Sequence, residues 1–96
     1  MVFENPYDIK RRCYQFSGAL IDFIKETRYE RIYFSIFEQL LRSGTSIGAN
    51  LVEGASGSSK KDLINYYSVA LKSANETKYW LCLVRGKLVN DKENVS

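Results

Sequence analysis

The 96-residue chain contains no histidine, only one proline and only two cysteines. Histidine is the commonest general base and the commonest metal ligand in proteins, so its absence argues against most hydrolytic enzymes and most zinc sites. Two thiols alone cannot complete a tetrahedral zinc site, and no glycine-rich segment has the spacing of a phosphate-binding loop. The composition therefore predicts a protein that is not an enzyme and that has no metal site and no cofactor.

Long apolar runs are also absent from the sequence. No stretch approaches the roughly 20 apolar residues that cross a bilayer, and residues 1–6 lack the charged and apolar regions of a signal peptide. We therefore expect a cytoplasmic protein without membrane contact. Cys13 and Cys82 lie within helical patterns, so in that compartment we expect reduced, buried side chains, with a disulfide as the alternative.

The sequence does contain the periodicity of amphipathic helices. Apolar residues that recur at steps of three and four predict helices over about residues 6–26, 28–54 and 60–88, followed by a tail at 89–96. Asn5 and Pro6 favour the first helix start, and Thr27 and Ser59 each have an acidic residue three positions on, the spacing of a capping box. The predicted fold is a single all-α domain, an up-down bundle of three long helices.

Two glycines, Gly44 and Gly48, lie inside the second predicted helix. Each costs about 1 kcal/mol relative to alanine in a helix. Their spacing of four residues places them on one face, where small residues allow close approach of a neighbouring backbone. We therefore expect another helix to pack closely against this face.

The segment Asn90–Glu93 has the pattern of a helix start, but only three residues follow it in the sequence. Three residues are too few for a stable helix. One interpretation is a three-helix protein with a frayed tail, and the other is a fragment whose missing fourth helix leaves an apolar groove. We expect the fragment, with the fourth helix absent or only begun.

Several segments together resemble one bacterial four-helix-bundle protein family. They are Asn5-Pro6-Tyr7, Leu40–Asn50, Glu53-Gly54, Ser59–Asp62 and Glu76–Leu81. The family includes the intervening-sequence protein encoded within large-subunit ribosomal RNA genes and the accessory variability proteins of diversity-generating retroelements. The resemblance implies a helical bundle whose members continue through a full fourth helix, assembly into a homopentameric barrel, and a nucleic-acid-binding role without catalysis.

Five cations lie near the starts of the first and third predicted helices: Lys10, Arg11, Arg12, Lys60 and Lys61. Short turns make neighbouring helices antiparallel, so both starts are expected at the same end of the bundle. Lys and Arg beside helix N-termini favour phosphate, so these residues are predicted to bind nucleic acid. The alternative is a solvated helix end, because acidic residues nearby offset much of the charge and the net charge is only +3.

A line of polar residues follows the second helix at steps of four, four and three. It consists of Arg42, Ser46, Asn50 and Glu53, and it is expected to face the third helix near Ser73, Glu76 and Thr77. We interpret these residues as a structural polar network that fixes helix register, in which Arg42 pairs with Glu38 or Glu76. The alternative is a polar site that grips a nucleotide or a partner backbone.

Three aromatic residues, Tyr66, Tyr79 and Trp80, lie off the main apolar stripe of the third helix. Aromatic side chains with a polar edge are enriched at the centres of protein interfaces, so we predict an oligomer interface here. The alternative is a stacking platform for single-stranded bases.

These patterns lead to one functional hypothesis and one alternative. The hypothesis is a non-enzymatic, self-associating bundle that binds nucleic acid through its basic end, with RNA favoured over DNA. The alternative is a protein-binding scaffold, such as an accessory subunit of an RNA-handling enzyme like a reverse transcriptase.

Overall fold

The computed structural model describes residues 6–56 and 59–89. It has three long helices, α1 (Pro6–Glu26), α2 (Phe34–Ala55) and α3 (Lys60–Leu83). A 3-10 turn, Arg31–Tyr33, precedes α2, and a π-helical turn, Val84–Leu88, continues α3. No β-strand occurs in these described ranges, and the all-α prediction is confirmed. The predicted start of a fourth helix at Asn90 lies outside the described residues.

The second helix begins later than predicted. Residues 27–30 are not helical, and the Thr27 hydroxyl donates to the carbonyl oxygen of Phe23 at 2.6 Å instead of capping Glu30. The capping box predicted at Thr27 is therefore wrong, because this side chain closes the last turn of α1. At the start of α3 the predicted cap is confirmed, since the Asp62 backbone N–H donates to Ser59 Oγ at 3.1 Å.

Helix α2 lies between the other two helices, and α1 and α3 both run antiparallel to it. On the α1 side, Leu20 lies against Gly44 and Cys13 lies against Gly48. On the α3 side, Ser46 bonds to Ser73 and Gly54 lies against Tyr66. The structure measures 47 × 29 × 18 Å. An open groove lies between α1 and α3, and Ile47 of α2 is among its lining residues.

The glycines of α2 allow this close packing. A Cβ atom on Gly44 would overlap the Cδ2 atom of Leu20, and one on Gly48 would lie 2.9 Å from the Cβ of Cys13. The predicted close approach of a neighbouring helix is confirmed, and the neighbour is α1. Gly54 has the same role toward α3, because its Cβ position lies 3.0 Å from the Cβ of Tyr66.

The hydrophobic core lies at one end of the molecule. It is formed by the buried side chains of Leu20, Phe37, Leu40 and Val84. Tyr29 covers this cluster by stacking on Phe37, with 3.8 Å between ring centroids. These residues come from the second half of α1, the first half of α2 and the end of α3. The other end, where α1 and α3 begin, contains none of these large buried side chains among its described residues.

The two cysteines are both free, as expected. Cys13 is half-buried against α2, and this burial raises the pKa of its thiol. Cys82 is exposed, so the prediction of a buried side chain is wrong there. The reason is its position on α3, where it faces the open groove and not α2.

Candidate nucleic-acid interface

The predicted cations of α1 and α3 lie at the same end of the molecule, because both helices run antiparallel to α2. We call Lys10, Arg11, Arg12, Lys60 and Lys61 together the basic end. Lys10 is half-buried, and the other four are exposed. The two helix starts therefore lie at the same end of the molecule, on opposite sides of α2.

The two halves of the basic end are staggered along the bundle axis. Cys13 lies opposite Gly48, and Tyr66 lies opposite Gly54. With a rise of 1.5 Å per residue, this places Lys60 about 15 Å farther along the axis than Arg11. This axial offset equals roughly four phosphates of one nucleic-acid strand at about 3.4 Å per phosphate.

Acidic residues at this end offset part of the positive charge. Among the side chains that the structure describes, Glu53 is in the last turn of α2 and Asp62 is in the first turn of α3. The five cations of the basic end outnumber these two acids. The N-termini of α1 and α3 add the positive ends of two helix dipoles, which also favour an anion.

A second group of exposed cations lies at the opposite end, and sequence reasoning missed it. It comprises Lys25, Arg28, Arg31, Arg85 and Lys87. Lys25 lies in the last turn of α1 and Arg85 and Lys87 in the π-helical turn, where cations stabilise the negative end of the helix dipole. This group could have been predicted from the antiparallel topology, because that topology brings helix termini together at both ends of the molecule.

Hydrogen bonds between small hydroxyl side chains connect α2 to α3. Ser46 Oγ lies 2.9 Å from Ser73 Oγ, and Asn50 donates to the Ser46 carbonyl and hydroxyl oxygens at 2.8 and 2.9 Å. The Thr77 hydroxyl lies 2.7 Å from the Ser73 carbonyl oxygen and 3.0 Å from Ser43 Oγ. No buried polar side-chain atom in the described part of the chain lacks a partner. A satisfied network of this kind supports the structural interpretation of the polar line.

The charged members of the predicted polar line lie outside this network. Arg42 and Glu53 are exposed, and within the described ranges Arg42 pairs with neither Glu38 nor Glu76. The Glu76 carboxylate instead accepts a hydrogen bond from Trp80 Nε1 at 3.0 Å. Because Ser43 faces α3, its neighbour Arg42 points about 100° away around the helix.

The three predicted interface aromatics differ in exposure. Tyr66 is half-buried against Gly54, and Trp80 is half-buried against the hydrophobic core. Tyr79 is 61% exposed and meets the edge of Trp80 with ring centroids 5.1 Å apart. Tyr66 and Trp80 are therefore partly buried by packing within the chain, and Tyr79 has the largest exposed fraction of the three side chains.

The described residues hold no cluster of three or more His, Cys, Asp or Glu side chains arranged to bind a metal ion. None of the described helices is long and apolar enough to span a bilayer.

Comparison with known proteins places the chain in a family. Residues 6–95 match the model of the 23S rRNA-intervening sequence protein family. No curated protein matches. A crystal structure of a protein of unknown function from the S23 ribosomal protein family of Bacteroides thetaiotaomicron is 37% identical, with a TM-score of 0.79 over 92% of this chain and 80% of that chain. This chain belongs to the 23S rRNA-intervening sequence protein family.

Proposed function

We propose that this protein is a non-enzymatic, cytoplasmic RNA-binding protein that contacts phosphates through its basic end. The observation that carries the proposal is the antiparallel packing, which brings Arg11 and Arg12 to the same end as Lys60 and Lys61. Phosphate contacts of this kind supply affinity and position the protein, while they carry little information about base sequence.

The family description favours RNA as the nucleic acid, because it refers to 23S rRNA. The shape of the basic end agrees with this choice. Two groups of cations offset by about 15 Å along the axis, with no protruding helix among the described residues to enter a groove, suit recognition of backbone and shape.

Self-association would strengthen such binding. The family resemblance implies a homopentamer, in which several copies of the basic end would bind one RNA with a high effective concentration. Tyr79 is the aromatic residue that we assign to contacts between copies, because most of its side chain is exposed.

The test is a pair of charge reversals measured against a mixed RNA pool by fluorescence anisotropy. The Lys60→Glu/Lys61→Glu double variant changes the basic end, and the Arg28→Glu/Arg31→Glu double variant makes the same change in net charge at the opposite end. All four side chains are exposed, so both variants should fold. We expect the first variant to lose about ten-fold or more in affinity and to lower the salt slope by about two, and the second to retain most of its affinity.

Any one of three results would contradict the proposal. The first is that the wild-type chain does not bind RNA at low salt. The second is that its affinity for RNA is the same at low and moderate salt, and the third is that both double variants lose affinity equally. If the Lys60→Glu/Lys61→Glu variant binds no RNA but still binds a partner protein, this result would favour the alternative role as an accessory subunit. The exposed Tyr79 is the observation that favours this alternative.

A further inference from the structure

We propose that the basic end binds single-stranded RNA and that Tyr14 of α1 stacks on an unpaired base. This inference rests on the RNA binding proposed above and names the form of RNA that the same site prefers. Tyr14 is 81% exposed, although it lies well inside a long helix. Within the described residues its side chain forms no hydrogen bond and no ring contact. Packing within the chain therefore does not account for this aromatic residue.

Tyr14 lies beside two cations of the basic end. Lys10 and Arg11 precede it by four and three residues on α1, the spacings at which helix side chains are neighbours, with about 5–6 Å between Cβ atoms. Side chains of a helix lean toward its N-terminus, so Tyr14 is directed toward the turn that carries these cations. The same short segment can therefore contact a base and a phosphate of one strand.

The surface around Tyr14 is open to a ligand. Gly18 lies one turn farther along α1, and no atom lies within 4 Å of its Cβ position. Arg12 and Phe16, each two positions from Tyr14, are among the residues that line the groove between α1 and α3. Two positions correspond to about 200° around a helix, so Tyr14 points away from that groove. A helix that fills the groove therefore leaves Tyr14 uncovered.

The chemistry of stacking determines which form of RNA this surface prefers. Every base has a π-face, so one aromatic side chain accepts any of the four bases while nearby cations bind the backbone. Bases inside an A-form duplex are already stacked on their neighbours, so a duplex offers this surface its phosphates and ribose hydroxyls. Tyr14 should therefore add affinity for a single strand and add little for a duplex.

The proposal can be tested with two RNA probes of equal length, measured by fluorescence anisotropy. One is a labelled single strand of about 12 nucleotides without self-complementarity, and the other is the duplex of this strand with its complement. We expect Tyr14→Ala to lose about five-fold or more in affinity for the single strand and less than about two-fold for the duplex. Tyr14→Phe retains the ring, so it should stay within about two-fold of the wild-type affinity for both probes.

Phe34→Ala provides the matched control. Phe34 is 56% exposed and begins α2 at the opposite end of the molecule, so its loss should leave both affinities unchanged. A second readout comes from Tyr14→Trp in a Trp80→Phe background, which places the only tryptophan of the chain at position 14. Its fluorescence should be quenched by the single strand and not by the duplex, a difference that a structural role of Tyr14 would not produce.

Several outcomes would overturn this inference and leave RNA binding at the basic end intact. If Lys60→Glu/Lys61→Glu loses affinity for both probes but Tyr14→Ala keeps the wild-type affinity for the single strand, Tyr14 does not stack on a base. Equal losses for both probes in Tyr14→Ala would exclude a preference for single strands. A smaller assembly of Tyr14→Ala in light scattering would assign this residue to contacts between copies. If the wild-type chain binds neither probe at low salt, the proposed RNA binding itself is wrong, and this inference is wrong with it.

Discussion

At the scale of single residues, two helical glycines differ in what surrounds them. Gly18 on α1 has no atom within 4 Å of its Cβ position, whereas the Cβ position of Gly48 lies 2.9 Å from the Cβ of Cys13. Both Gly18→Ala and Gly48→Ala gain about 1 kcal/mol of helix propensity, so the difference between them isolates the contact with α1. We expect Gly48→Ala to be less stable than Gly18→Ala by about 1–3 kcal/mol in urea unfolding.

Equal stabilisation by both alanines would show that α1 does not pack closely on α2.

The spacing of the two glycines alone made this contact predictable, because the step from Gly44 to Gly48 has no other benefit to a helix. Spacing could not predict the exposure of Cys82 or of Arg42. A shift of one residue rotates a side chain by about 100°, and the sequence does not show which flank of a stripe has a neighbour.

At the scale of the helices, the hydroxyl network fixes how α3 lies along α2. Thr77 is 3% exposed and connects Ser73 of its own helix with Ser43 of α2. Thr77→Val keeps the shape of the side chain and leaves the buried hydroxyl of Ser43 with fewer partners. We expect it to lower the free energy of unfolding by about 1–2 kcal/mol.

Thr45→Val is the matched control for this substitution. The Thr45 hydroxyl donates to the Leu41 carbonyl at 2.8 Å within α2 and makes no bond to α3. We expect a change below about 0.5 kcal/mol, as for substitutions away from buried networks. An equal loss of unfolding free energy in both variants would mean that the hydrogen bond between α2 and α3 does not contribute to stability. The sequence indicated that a polar line with Ser46 faces α3 near Ser73 and Thr77, but it also assigned the charged residues Arg42, Glu53 and Glu76 to the network. Small hydroxyl side chains form it because they fit between closely packed helices, which long charged side chains do not.

At the scale of the whole molecule, the antiparallel topology separates the core from the basic end. The topology could be predicted from short connections, and it correctly placed the starts of α1 and α3 together. The same topology brings the second group of cations and the core together at the opposite end. The groove was expected only as the consequence of a missing helix, and its cationic lining could not be read from residues far apart in the sequence.

This separation predicts a gradient of stability along α3, measurable by native-state hydrogen exchange. Amides near Val84, in contact with Phe37 and Leu40, should exchange only through global unfolding, because the large buried side chains lie there. Amides over residues 63–69 should exchange through local opening, with protection at least ten-fold lower. Bound RNA should raise protection in residues 63–69 and leave the Val84 region unchanged, since it contacts the end at which α3 begins. Uniform protection along α3 would contradict the gradient, and protection raised by RNA only near Val84 would move the binding site to the opposite end.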